Sequence, residues 1–300
     1  MVEYRWQIHE RLGSNQAEIS LRELLHDQWL LPKRFIRYLR SRRQVLVNGD
    51  YHSVNTIVHP DDQITLLFQG DEFRNPNNNQ YIPIQKTQLE VLFENRDLIV
   101  VNKPRGQKSH PNEENEVGTL MNDVAGYLNS RAYMVHRIDQ ETSGAVIVAK
   151  NPVVVPILDR LISQGEIHRE YLAVVDGKLS GSGEWNWPIG NDPSDPWRRM
   201  VNGEDAQPAQ TYFNVLASTT GKSLVSLSLG TGRTHQLRVH LAHSGHPIVG
   251  DPIYNPNSVA GMLLHGYRQQ LVLPFENKKL IVEAPIPHYF AQDLIKYHLE

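Results

Sequence analysis

The chain is 300 residues long, 40% hydrophobic and 21% charged, with a net charge of −3 and no cysteine. That length fits one large domain, or a domain plus a small module, around a substantial core. The composition excludes disulfides, thiolate metal sites and cysteine nucleophiles. No apolar stretch approaches the roughly 20 residues of a membrane span, and Met1-Val-Glu-Tyr-Arg-Trp6 lacks a signal peptide's apolar segment, so a cytoplasmic protein without membrane contact is expected. A net negative chain has no basic coat, so a polyanion would have to meet a local stripe of positive charge.

Residues 1–70 read as a small α/β module. Leu21, Leu24 and Leu25 recur at helical spacing within Ile19–Leu30, and Pro32 suits the first turn of a second helix. That helix carries Lys33, Arg34, Arg37, Arg40, Arg42 and Arg43, with no acidic residue between, and offers Phe35, Ile36 and Leu39 to a core. Charge runs are usually solvated faces, yet a run of one sign repels itself on a helix and gains from an anionic partner. It is therefore read as a polyanion-binding surface. Val45–Val47 and Ile64–Phe68 read as strands, with Asn48-Gly49 as a hairpin turn. The polar, turn-rich residues 71–88 read as a linker, and a second domain spans 89–300.

In that domain Val91–Phe93 and Leu98–Val101 are strand-like, Asn102-Lys103-Pro104 and Gly106 break the second strand, and Thr119–Leu128 reads as a helix. The stretch that organises the rest is Met134–Lys150. Its apolar run Ala145–Ala149 is short and unbroken and reads as a buried strand. His136, Arg137, Asp139 and Gln140 precede that run, and Thr142, Ser143 and Gly144 are turn formers. An Asp on a loop pinned to a sheet is a way to build an active site, and Arg137 and His136 put positive charge beside this one. A lone loop Asp is more often a turn or cap residue. What favours the functional reading is a second polar cluster far along the chain.

Pro152–Ile162 has helical character and Ile167–Val175 reads as a strand carrying Tyr171; a strand tyrosine is usually core. Residues 180–208, rich in Gly, Pro, Trp and Asp, read as an ordered excursion near the site, and strand character returns at Ala209–Leu216 and Leu224–Leu229. The second cluster is Gly230-Thr-Gly-Arg-Thr-His-Gln-Leu-Arg-Val-His240. Its glycines permit a tight turn into a helix bearing Leu237, Val239 and Leu241. Arg233, Thr234, His235 and Gln236 fall at the helix N-terminus, where backbone donors favour an anion, and Arg238 follows about one turn on. His235, His240, His243 and His246 suggest zinc, but no cysteine or convergent acid completes a set, so no metal is expected. No P-loop or dinucleotide pattern implies a cofactor. Runs of strands with irregularly interspersed helices give an α+β class, with a mixed, mainly antiparallel central sheet and flanking helices.

His136-Arg-Ile-Asp139 followed by Thr142-Ser-Gly144 resembles the signature of the RluA-type pseudouridine synthases. Further stretches resemble landmarks of that family in the same order: Asn102-Lys-Pro-x-Gly106 with His110-Pro, Arg169-Glu-Tyr171, Gly232-Arg-Thr-His-Gln-x-Arg238, His246-Pro, Gly250-Asp-x-x-Tyr254, Leu263-Leu-His265 and Ala284-Pro-Ile-Pro287. Gln107-Lys108-Ser109 stands where the family is usually apolar, and Arg169 where lysine is common. The two helices and the Val47-Asn-Gly hairpin resemble the RNA-binding domain named after the fourth small-subunit ribosomal protein, which family members often carry; Pro60-Asp61-Asp62 replaces its usual Gly-Asp.

The resemblance implies an RNA pseudouridine synthase that uses no cofactor and acts on ribosomal or transfer RNA. Asp139 would be the nucleophile, Arg238 its partner, and Tyr171 the ring beside the target uracil. Arg137 would fill the gap left by a flipped uridine or hold a phosphate, with His136, Arg233, His235 and Gln236 also at the substrate. RNA is the expected partner, with no obligate protein partner and a monomer as default. Two other readings compete. A non-catalytic RNA-binding protein would not need the intact Asp, Tyr and Arg set. A glycosidase-like hydrolase usually needs two carboxylates, and only Glu141 lies close to Asp139 in sequence.

Overall fold

The computed structural model describes residues 6–73, 81–84, 89–258, 261–276 and 278–300. A ten-stranded sheet organises the larger part of the chain. Its strands run in the order Ser182–Trp185, Thr211–Ser218, Lys222–Leu229, His168–Asp176, Leu264–Val272, Ser143–Ala149, Leu98–Lys103 and Val91–Glu94. Lys279–Glu283 adds to Leu264–Val272, and Tyr133–Met134 to Ser143–Ala149. The pairing of Ser143–Ala149 with Leu264–Val272 is parallel and its neighbours are antiparallel. The mixed, mainly antiparallel sheet expected from sequence is the one observed.

Ser143–Ala149 is buried along its whole length. Successive strand residues point to opposite faces, and both faces of this strand are covered. Ala145, Ile147 and Ala149 join one apolar cluster with helix Val155–Ser163, while Val146 and Val148 join another with helices Leu120–Leu128 and Gln236–His243. A strand covered on both sides reads as an unbroken apolar run rather than an alternation. Sequence reading places Ser143 and Gly144 in the preceding turn. The observed turn closes earlier, where the Thr142 amide donates to the Asp139 carbonyl at 3.1 Å. Gly144 is already in the strand, with φ +116°, and a Cβ there would lie 2.2 Å from the Gly266 carbonyl oxygen. Only glycine fits both the dihedral and the gap.

The N-terminal part forms a four-stranded sheet in the order Trp6–Arg11, Gln63–Phe68, Val45–Val47 and Asp50–Tyr51. Asn48 and Gly49 both have positive φ, as a two-residue hairpin turn of this kind requires. Leu21–Gln28 is helical, but its second half is wound wider, so that the Trp29 amide reaches back to the Leu24 carbonyl. The basic helix occupies Lys33–Ser41 behind Pro32. The first apolar cluster runs without a break from this part into the large sheet, through residues such as Leu24, Phe68, Leu98 and Ile147. Polar ties reinforce it: Arg96 pairs with Glu10, Arg160 Nη1 donates to the Leu30 carbonyl at 3.0 Å, and the Trp29 and Phe275 rings meet edge to face at 5.2 Å.

Of the linker expected at 71–88, residues 74–80 and 85–88 lie outside the described residues. Its described parts are anchored. Asp71 and Glu72 accept from Arg42, and Ile82 and Ile84 bond to Asn122 of the helix Leu120–Leu128.

Candidate active site

The loop 136–142 is held from both sides. Ser109 Oγ donates to the Ile138 carbonyl at 2.6 Å and accepts from the Ile138 amide at 3.3 Å. The Gly106 amide and the Lys103 ammonium both donate to the Gln140 carbonyl, at 2.8 and 3.1 Å. Asp139 is thus fixed by a bond on each side of it. Lys103 is fully buried and spends its other donors on the Pro104 and Gln107 carbonyls; burial pulls its ammonium down to about 7, against the opposing pull of Asp139 and Glu141. Ser109, at the point where the sequence departs from the family pattern, is one of the residues that hold the loop.

Helix Gln236–His243 follows the strand Lys222–Leu229 and carries Arg238 to the same place. Arg238 Nη1 lies 2.9 Å from Asp139 Oδ2, while its Nε and Nη2 grip Asp251 at 2.7 and 2.8 Å. Two carboxylates on one guanidinium orient it in a plane. Burial pushes the Asp251 carboxyl up, but Arg238 and the Tyr254 and Ile253 amides outweigh this and hold it below the usual carboxylate range. Burial likewise opposes the Arg238 charge, and Asp251 and Asp139 together raise its pKa on balance. Both groups therefore stay ionised.

His235 begins this helix in a left-handed conformation, φ +57°. The sequence assigns the tight turn to Gly230 and Gly232, but neither has positive φ. A Cβ at Gly230 would instead crowd the Gln210 side chain, with its Oε1 at 2.7 Å. The His235 Nδ1 and the Tyr254 hydroxyl are 3.1 Å apart, and its Nε2 is 3.9 Å from Asp139. Burial lowers its pKa, so at neutral pH the ring faces Asp139 uncharged. The Tyr254 hydroxyl also accepts the Arg199 amide, at 2.9 Å, which ties the three-stranded excursion at 189–207 to the site.

Tyr171 lies on the strand His168–Asp176, paired with Gly266, which in turn pairs with Gly144. It lines an open cleft of about 480 Å³ together with Asp139, Thr142, Arg169, His235 and Arg238. Burial raises the Tyr171 phenol, so the ring sits over the cleft as a neutral hydroxyl.

The other expected residues fall into place unevenly. Arg137 and Arg233 are exposed at the cleft. His136 is buried, accepts the Ile147 amide at 3.0 Å and is pushed down to about 3 by burial and by Arg169. It adds no positive charge beside Asp139, contrary to the expectation from sequence. Gln236 is buried with its amide spent on Thr231, the Arg233 amide, the Gln210 carbonyl and Thr211, so it braces the turn. Glu141, the second carboxylate a hydrolase would need, does not line the cleft. On the basic helix Lys33, Arg37 and Arg40 are exposed, as is Arg43 just beyond it. Arg42 is engaged by Asp71 and Glu72, and Arg34 donates to the Asp71 carbonyl. Sequence reasoning does not single out Asp251, Tyr254, Lys103 or Arg169 as site residues. Asp251 and Tyr254 carry a signal in the Gly250-Asp-x-x-Tyr254 pattern.

An arginine-clamped carboxylate beside a neutral tyrosine in an open, basic cleft is suited to an anionic substrate. The RNA pseudouridylate synthase family model matches residues 97–243, and the model of the N-terminal domain of the ribosomal pseudouridine synthase RluD matches residues 9–64. The chain is 37% identical over 289 residues to the uncharacterised RNA pseudouridine synthase YhcT of Bacillus subtilis, covering 90% of this chain and 93% of that one. It is 36% identical over 230 residues to the ribosomal large subunit pseudouridine synthase D of Nitrosomonas europaea, covering 71% and 67%. Among solved structures, human RNA pseudouridylate synthase domain containing 1 superposes with a TM-score of 0.57 at 26% identity, over 68% of this chain and 86% of that one. The fold is shared also with human RNA pseudouridylate synthase domain containing 4, with a TM-score of 0.58 at 23% identity, over 70% and 94%. The chain belongs to the RNA pseudouridine synthases, of the RluA/RluD type, and its reaction is the isomerisation of uridine in RNA.

Proposed function

We propose that Asp139 is the carboxylate that acts on the target uridine, in ribosomal RNA before transfer RNA. The reaction breaks the bond from ribose C1′ to the ring N1 and makes one from C1′ to C5 of the same uracil; C5 loses a proton and N1 gains one. Nothing is oxidised or added. A uridine within a stack must be extruded to reach Asp139, so the enzyme flips it into the cleft. Asp139 then either attacks C1′ or removes a ribose proton; both routes use the same carboxylate in the same place.

The observation that carries this reading is the 2.9 Å contact of Asp139 with an arginine itself fixed by a buried Asp251, at a cleft that also holds Tyr171. Arg238 keeps Asp139 aimed. Tyr171 packs against the uracil; as a phenol it is a hydrogen-bond donor, and it serves as a base at C5 only by giving up a proton that burial makes harder to lose. Arg137 and Arg233 take phosphates at the rim. Residues 1–70 act as an RNA-binding module through Lys33, Arg37, Arg40 and Arg43, with Arg34 and Arg42 bracing the helix. We place the enzyme in the cytoplasm as a monomer; among the described residues no helix is long and apolar enough to cross a membrane. The preference for ribosomal RNA rests on the names of relatives. The test is to map pseudouridine in ribosomal and transfer RNA from cells with and without the protein. Loss of specific ribosomal sites supports the assignment, and unchanged maps in both RNAs contradict it.

A further inference from the structure

Arg169 is a buried guanidinium facing the cleft, with only 9% of its surface exposed. Among the described residues it has no carboxylate within ion-pair distance and no hydrogen-bond partner. The other arginine buried at this site, Arg238, is held by two carboxylates. Asp139, the one carboxylate among the described residues that line the cleft, is already engaged by Arg238. Arginine does not shed its proton to escape burial, and a buried charge without a partner is destabilising. A side chain left in that state at the wall of an open cleft is suited to an anion brought by the substrate.

Its placement is specific. Arg169 and Tyr171 are two apart on one strand, so both point to the cleft side, with Glu170 between them turned away to Arg268. The guanidinium lies beside Gly232, where an added Cβ would sit at ordinary van der Waals distance, 3.5 Å, from its Nη2. A planar fork of donors matches the two free oxygens of a phosphodiester.

We propose that Arg169 binds the phosphodiester next to the flipped uridine, from inside the cleft, and so anchors the extruded nucleotide beside Asp139. This rests on the RNA pseudouridine synthase reading. It goes beyond it by assigning a phosphate subsite to a residue with no part in the bond-breaking step. Arg169 is thus a substrate-binding residue, and Arg137 and Arg233 remain at the rim.

The test compares the full-length chain with its Arg169→Gln and Arg169→Lys forms on an RNA that the wild type converts. It also uses the same RNA with one uncharged methylphosphonate placed 5′ or 3′ to the target uridine. Arg169→Gln should raise KM about tenfold with kcat within about threefold, and flatten the dependence of log K on log salt by roughly 0.7, one single-strand phosphate contact. Arg169→Lys should recover most of that salt slope and part of the affinity. One of the two methylphosphonates should weaken wild-type binding by about the same factor and leave Arg169→Gln unaffected. The proposal is overturned if both methylphosphonates weaken the wild type and Arg169→Gln equally, or if Arg169→Gln lowers kcat at an unchanged KM. The methylphosphonate series on the wild type needs no variant, so indifference of the wild type to both positions overturns it even if the glutamine form does not fold. Failure of the wild type to convert any unmodified RNA would instead strike the underlying reading.

Discussion

One guanidinium joins two carboxylates with opposite fates: Arg238 holds Asp251 through two bonds in full burial and Asp139 through one bond at the edge of a cleft. In the proposed mechanism the buried pair is the anchor and the half-buried contact is the working end. Asp251→Asn keeps the shape and removes the charge that fixes Arg238. It should lower kcat by about ten- to a hundredfold with KM little changed, because the arginine is no longer aimed. Stability should fall by about 3 kcal/mol, the general cost of breaking one partner out of a buried pair. Steady-state kinetics and urea denaturation read the two effects separately, and a variant with wild-type kcat would show that the anchor is dispensable.

Gly144 and Gly266 pair where the strand leaving the Asp139 loop meets the strand beside Tyr171. A methyl group at 144 would meet backbone at 2.2 Å in a left-handed conformation, whereas at 266 it would touch the Tyr171 ring at 3.4 Å. Gly144→Ala should therefore yield insoluble protein, or cost more than about 3 kcal/mol. Gly266→Ala should fold and be impaired chiefly in activity. Equal stability of the two variants in thermal denaturation would contradict this ranking.

Lys103 serves three backbone carbonyls around the loop 136–142 and does not line the cleft that holds Asp139. Lys103→Met leaves the Pro104 and Gln107 carbonyls without this donor, at about 1 kcal/mol or more each, while the Gln140 carbonyl keeps the Gly106 amide. We expect a loss of about 2 kcal/mol in stability and a fall in kcat larger than the rise in KM. Full kcat in a folded Lys103→Met protein would show that Asp139 needs no brace from this side.

Two histidines are buried uncharged, His136 pushed down to about 3 and His265 to about 4, in both cases mainly by burial. In the unfolded chain each takes up a proton near pH 6.5. Between about pH 4 and 6.5 the unfolded state thus binds more protons, and stability rises with pH through that window, by up to about 1.4 kcal/mol per pH unit for each group. Urea midpoints at pH 5 and pH 7 measure it. The pH 5 midpoint should be clearly lower, and equal midpoints would mean that both rings titrate normally in the folded protein.

What is legible in the sequence is the part written as local pattern. The Ala145–Ala149 run marks the central strand because both its faces are covered, and the clusters around Asp139 and Arg238 stand out as polar residues abutting such strands. Their contact spans 99 residues and is implied only by the family likeness. The remainder depends on partners the sequence does not pair. Arg42 and Arg37 look alike in the basic run, yet Asp71 and Glu72 turn Arg42 inward. His136 looks like a charge beside Asp139 until its burial under the Ile147 amide is known. The strand Trp6–Arg11 escapes a sequence reading because its outward positions are polar and charged, leaving little apolar pattern. The left-handed turn falls on His235 rather than on the nearby glycines, which a sequence reading favours for that conformation.

The most direct measurement is pseudouridine formation by Asp139→Asn on an RNA that the wild type converts, read by mass spectrometry beside an RNA-binding assay. The amide keeps the size and one acceptor for Arg238 but cannot act as the carboxylate. The expected result is no detectable pseudouridine, with RNA affinity within about threefold of wild type. Turnover near the wild-type rate would remove Asp139 from the chemistry, and with it the role of Arg238 in aiming that carboxylate.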